Sequence, residues 1–93
     1  MILKMLFISE TYSGETYTDI IVDLMNNDRL YTGLYGEKFP DHYVGVLKNV
    51  LRQLLTDEDF SKIYISGSNT EEKCKNLIQS LINLGIARLK KSP

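Results

Sequence analysis

Two segments of the chain gather hydroxyl groups around small residues, Ser9-Glu-Thr-Tyr-Ser-Gly-Glu-Thr-Tyr-Thr18 and Ser66-Gly-Ser-Asn-Thr70. Hydroxyls and backbone amides of this kind bind the oxygens of an anion, and glycine lets the backbone approach it. Each segment follows a short apolar run, Met5-Leu-Phe-Ile8 or Lys62-Ile-Tyr-Ile65, and precedes a stretch of helical periodicity. A strand that feeds a helix through such a turn is where open α/β sheets hold their ligands. Thr11, Ser13, Gly14, Thr16, Gly67 and Ser68 are therefore the candidate ligand-binding residues for a nucleotide or another phosphate. The same hydroxyls also serve as helix caps. Glu10, Glu15, Glu71 and Glu72 border the turns with no Lys or Arg inside them, which disfavours an anion unless a metal intervenes.

Glu10, Glu15 and Glu71 would converge if the two strands were neighbours, and paired carboxylates hold Mg²⁺ or act as acid and base. Attraction of acidic residues to the first turn of a helix accounts for them without chemistry. His42 is the only histidine, beside Asp41. Cys74 is the only cysteine and lies on an apolar helical stripe, as a small core residue would. No Ser/His/Asp or Cys/His arrangement and no zinc spacing is present, so the expectation is a protein without catalysis, cofactor or metal.

Six tyrosines are many for 93 residues. Tyr12, Tyr31 and Tyr35 fall in turns and an edge-like segment, where a half-exposed phenol suits a partly wet contact. With the acidic residues Asp28, Glu37, Asp57, Glu58 and Asp59, Tyr31 and Tyr35 form the expected partner-binding surface. An acidic strip of that kind would engage a basic, nucleic-acid-binding surface of a protein partner and compete for it. The expected role is a small regulator or inhibitor of the sort that mobile elements encode.

The elements that must position these residues follow from periodicity. Residues 2–8 are nearly all apolar, as in a strand buried on both faces. Tyr17, Ile20, Ile21, Leu24 and Met25 recur at helical spacing, with Thr16 and Asp19 as the start signal. Leu30-Tyr-Thr-Gly-Leu-Tyr35 reads as a short second strand or part of a hairpin. Pro40 opens a helix whose apolar face is Val44, Leu47, Val50, Leu51, Leu54 and Leu55, with Gly45 inside it. Residues 62–65 read as the third strand. Ser68 with Glu71 forms a capping box, and Cys74, Leu77, Ile78, Leu81 and Leu84 make the last helical stripe. Gly85 and Ile86 match a left-handed helix end. The order β-α-β-α-β-α predicts one α/β domain over residues 1–93, a three-stranded mainly parallel sheet with packed helices.

Composition bounds the rest. Eleven basic and twelve acidic residues give a net charge of -1, and only the tail Arg88-Leu-Lys-Lys91 is basic, which argues against direct nucleic-acid binding. No apolar stretch approaches the roughly 20 residues of a membrane span, and residues 1–8 are too short for a signal peptide. One cysteine excludes an internal disulfide and fits a reducing, cytoplasmic setting.

Thr11, Ser13, Gly14 and Thr16 match the T-x-T-G-x-T phosphate loop, so the first turn resembles that of the flavodoxins. The element order, the Tyr35-Gly36 pair and Ile63-Tyr-Ile-Ser-Gly67 are similar to the NAD-binding module of ferredoxin reductases, with Ser66 where that family has its cysteine. The resemblance implies a doubly wound fold with phosphate at the turns. The reductase module has a further strand–helix unit and a flavin-binding barrel, for which 93 residues have no room, so the implied fold comes without the redox chemistry.

Overall fold

In the computed structural model, residues 1–6, 8–36 and 39–91 are described. Their elements are β1 (Ile2–Met5), β2 (Glu10–Ser13), α1 (Tyr17–Asn26), α2 (Arg29–Tyr35), α3 (Pro40–Leu54), α4 (Asp57–Phe60), α5 (Thr70–Asn83) and β3 (Ala87–Lys90). The sheet has the order β2-β1-β3, and β1 is antiparallel to both neighbours. This corrects the expected mainly parallel β-α-β-α-β-α sheet.

Three local choices produce the difference. After Met5 the chain does not enter a helix but reverses through a hairpin, in which Ser9 adopts the left-handed conformation (φ 54°). Thr11 and Tyr12, read above as loop, then pair with Lys4 and Leu3. The basic tail is the second correction: Ala87-Arg-Leu-Lys90 is a strand, paired with Met5 through Ile2. The ladder continues to Leu6, whose N–H donates to the Ile86 carbonyl at 3.0 Å.

Residues 62–65, the expected third strand, form no strand and lie in no sheet. Side chains of α5 take the place of a neighbouring strand. The Tyr64 N–H donates to Ser80 Oγ at 2.9 Å, and Asn76 Nδ2 donates to the Ser66 carbonyl. Buried backbone groups need partners, and these two satisfy the segment while Ile63 packs into the core. Leu6 and Ile63 are therefore not in neighbouring strands.

Helix starts follow the local chemistry more closely. Thr16 caps α1 through a capping box with Asp19. Pro40 stands at the start of α3, where its missing N–H costs nothing. The α5 cap is Asn69, not Ser68: Asn69 Oδ1 accepts from the Glu72 N–H at 2.9 Å. At its other end Gly85 (φ 78°) and Ile86 donate to Ile82 and Leu81, the double bond of a Schellman motif. The segment expected as a second strand is α2, capped by Asp28.

One face of the sheet, carrying Leu3, Met5, Tyr12 and Ala87, packs beneath Ile20, Ile21, Tyr43, Val44, Leu77, Ile78 and Leu81 of the helices. Cys74 is fully buried among them, as the apolar stripe indicated, and burial pushes its thiol up to about 11. The other sheet face meets solvent, as antiparallel sheets allow.

Gly45 is the exception to a well-formed α3. A Cβ built there meets no atom within 4 Å, so close packing does not account for it. Gly45→Ala is expected to stabilise the protein by about 0.5–1 kcal/mol, the helix-propensity difference, read as a higher urea midpoint at an unchanged m-value.

Candidate functional site

The two hydroxyl-rich turns are not the ends of parallel strands, yet each does open toward a helix start. What occupies those starts is the protein itself. Glu71, in the first turn of α5, reaches the N-terminus of α1 and accepts from the Tyr17 N–H (3.1 Å), the Thr18 N–H (2.8 Å) and Thr18 Oγ1 (2.7 Å). These are the unpaired donors that would otherwise bind an anion. Partial burial pushes the Glu71 carboxyl up, but the bonds from Thr18 and Tyr17 outweigh it and hold the group below the usual carboxylate range.

The second turn repeats the device within its own helix. Ser68 donates from its N–H and its hydroxyl to Glu72 Oε2, both at 2.7 Å. The two glycines have the same explanation. A Cβ on Gly14 would collide with the Asp19 Cβ and lie 2.9 Å from the Asp19 carbonyl carbon. On Gly67 it would lie 2.7 Å from the Glu72 Cβ and 2.9 Å from the Lys73 nitrogen. Each glycine thus admits the start of the next helix. Thr16 caps α1, while Thr11 and Ser13 stand on the solvent face of β2. Glu10 and Glu15 are exposed and do not join Glu71.

The tyrosine and acidic residues divide. Tyr31 is 2% exposed, against expectation. Its hydroxyl bonds His42 Nδ1 at 2.7 Å, and its ring stacks on Tyr35 and meets Tyr43 edge-on, at 4.9 and 4.7 Å between centroids. Asp28 is engaged in holding this cluster. One oxygen caps α2 at the Tyr31 N–H and the other accepts from the Tyr43 hydroxyl at 2.9 Å. Burial, then the Asp28 bond, raises the Tyr43 phenol well above its ordinary value, so it stays a donor. Tyr12 is buried in the core as well. Tyr35 is exposed, and Asp57, Glu58 and Asp59 form the first turn of α4. Glu37 lies outside the described residues.

Sequence reading missed the apolar surface. A groove of about 250 Å³ runs between α3 and the β1–β2 hairpin. Met5, Leu24, Tyr43 and Leu81 contribute its buried wall, while Ile8, Val50 and Leu54 are exposed along it, Leu54 at 64%. Asn27 and Asp28 also line it. Leu54 also borders a second hollow with Leu51, Leu55 and Ile86. A separate apolar ridge on α2, Leu30 (74% exposed) and Leu34 (68%), stands beside Phe39 in sequence. The signal was available: Val44, Leu47, Val50, Leu51 and Leu54 of α3, with Leu55 at its C-cap, span a broader arc than the roughly 100° stripe a core-facing helix needs, and Val50 and Leu54 sit at one margin of it.

Among the described residues no cluster of three or more His, Cys, Asp or Glu side chains is placed to hold a metal ion. Nor is any helix among them long and apolar enough to cross a membrane. No family model, curated protein or solved structure matches the chain.

If the glycines serve helix approach, Gly14→Ala and Gly67→Ala should each destabilise the fold by about 1–3 kcal/mol through forced backbone movement. Chemical denaturation of the two variants, with no ligand added, measures this directly.

Proposed function

We propose that this protein is a non-catalytic binding protein, a regulator that receives a basic amphipathic helix of a protein partner in the groove between α3 and the β1–β2 hairpin. The observation that carries this reading is the exposure of Ile8, Val50 and Leu54 along one apolar hollow. Large aliphatic side chains left in water beside a preformed depression are what a helix-in-groove contact uses. Charge supports the basic character of the partner. Asp28 lines the groove, and the acidic turn of α4 begins three residues beyond Leu54. Lysines or arginines flanking the apolar stripe of a docked helix would meet both. A partner so engaged has its basic surface covered.

This reading shifts the anchor from Tyr31 to the α3 margin. Tyr31→Ala would act by collapsing the α2–α3 cluster, so it cannot report on contact. Val50→Lys and Leu54→Lys can, because both side chains already face water. Each is expected to weaken partner binding by roughly 10–30-fold, the cost of a lost hot-spot residue, with the circular dichroism spectrum and unfolding midpoint close to those of the parent. Copurification of tagged parent and variants from the native cell, followed by titration of the recovered partner, makes the comparison. Equal binding by all three proteins would exclude the groove.

A further inference from the structure

The solvent face of the sheet has a composition unlike the rest of the molecule. Its outward positions are Ile2 and Lys4 on β1, Thr11 and Ser13 on β2, and Arg88 and Lys90 on β3. The register sets them in two rows, Thr11–Lys4–Arg88 and Ser13–Ile2–Lys90. Lys4, Arg88 and Lys90 are exposed, Lys91 follows in sequence, and no carboxylate occupies an outward position. The ion pair found among the described residues, Lys73 with Asp41 at 3.7 Å, is elsewhere. Lys4 and Arg88 stand directly opposite each other, an arrangement that like charges disfavour. A chain of net charge -1 thus concentrates unneutralised positive charge on one flat surface.

We propose that this face binds the phosphate backbone of double-stranded nucleic acid without regard to sequence. Lysine, arginine and hydroxyl side chains are the groups that contact phosphate oxygens. Thr11 and Ser13 supply donors on the same surface as the cations. The face lacks what the other polyanions need. An acidic protein surface docks through buried aromatic or aliphatic anchors, and among the outward positions of β1, β2 and β3 only Ile2 is apolar. A single strand is held by bases stacked on aromatic rings, and no aromatic stands at an outward position of β1, β2 or β3. The surface lies opposite the helices, so a duplex there leaves the α3 groove open. The inference therefore stands independently of the protein-binding reading.

Fluorescence anisotropy of a short labelled DNA duplex tests it with the intact protein. The affinity should fall as salt rises, with a slope of log K against log salt of about -2.7, about 0.9 for each of three neutralised phosphates. That corresponds to roughly 40-fold between about 50 and 200 mM salt. Duplexes of different sequence should bind alike. Replacing Lys4, Arg88 and Lys90 together by Gln should abolish the salt-dependent binding. Thr11→Lys, which adds a cation opposite Lys4, should tighten binding and steepen the slope by about one. The gain-of-function variant keeps the test decisive should the triple variant fold poorly. Absence of saturable binding at low salt, a slope indifferent to these substitutions, or tighter binding of polyglutamate than of the duplex would overturn the proposal.

Discussion

The carboxylate of Glu71 in the N-terminus of α1 is the contact on which the rest of the arrangement depends. It joins two helices far apart in sequence at their positive ends, and it does so with three hydrogen bonds to one side chain. Charge-assisted bonds to unpaired helix amides are among the stronger polar contacts in a small domain. With the two helix starts fixed side by side, α5 lies between α1 and α3 and carries Cys74, Leu77, Ile78 and Leu81 into the centre of the core. The glycine turns follow from the same constraint, because chain must enter each helix against the first residues of that helix. The consequence for function is direct. Thr16, Ser68 and the two glycines serve the helix starts, and the surfaces left over are the apolar groove and the charged sheet face, on which Thr11 and Ser13 stand.

What the sequence disclosed was local chemistry. The Thr16–Asp19 box, Pro40 and Gly85 each act within a few residues, and each marks the boundary where the structure has it. Strands were harder because a strand is defined by its partner. Residues 62–65 have the composition of a buried strand, but Ser80 and Asn76 of α5 bond the backbone at Tyr64 and Ser66 in place of a neighbouring strand. Arg88 and Lys90 made β3 look like a solvated tail, though only Ala87 and Leu89 needed to face inward. Over four residues with one wet face, alternation is too short a signal to separate from chance. Parallel and antiparallel order then turned on whether residues 9–13 form a turn leading to α1 or the second arm of a hairpin, and with Ser9 in the left-handed region they form the hairpin arm.

The candidate surfaces were legible to a different degree. The anion turns stand out as a pattern, and helix capping draws on the same hydroxyls and amides as ligand binding, so the pattern by itself does not separate the two uses. Tyr31 was placed outside because its segment read as an edge-like strand, whereas it lies on α2, where Asp28 caps its N–H and its hydroxyl bonds His42. The groove was visible only as an excess of apolar positions on α3. The charge of the sheet face could not be read at all before β3 was known, because Lys4 and Arg88 are 84 residues apart in the chain and one ladder step apart in space.

The account stands or falls on Glu71. Because its folded carboxyl lies below the ordinary value, its contribution is present above the unfolded carboxylate range and is lost as pH falls through the folded value. Guanidinium unfolding of the parent and of Glu71→Gln across pH measures that contribution. The predicted result is a variant less stable by about 1.5–3 kcal/mol at neutral pH, with the gap closing in acid as Glu71 of the parent is protonated. Equal stability at neutral pH, or a gap that acid leaves unchanged, would contradict the claim that this carboxylate holds α1 and α5 together.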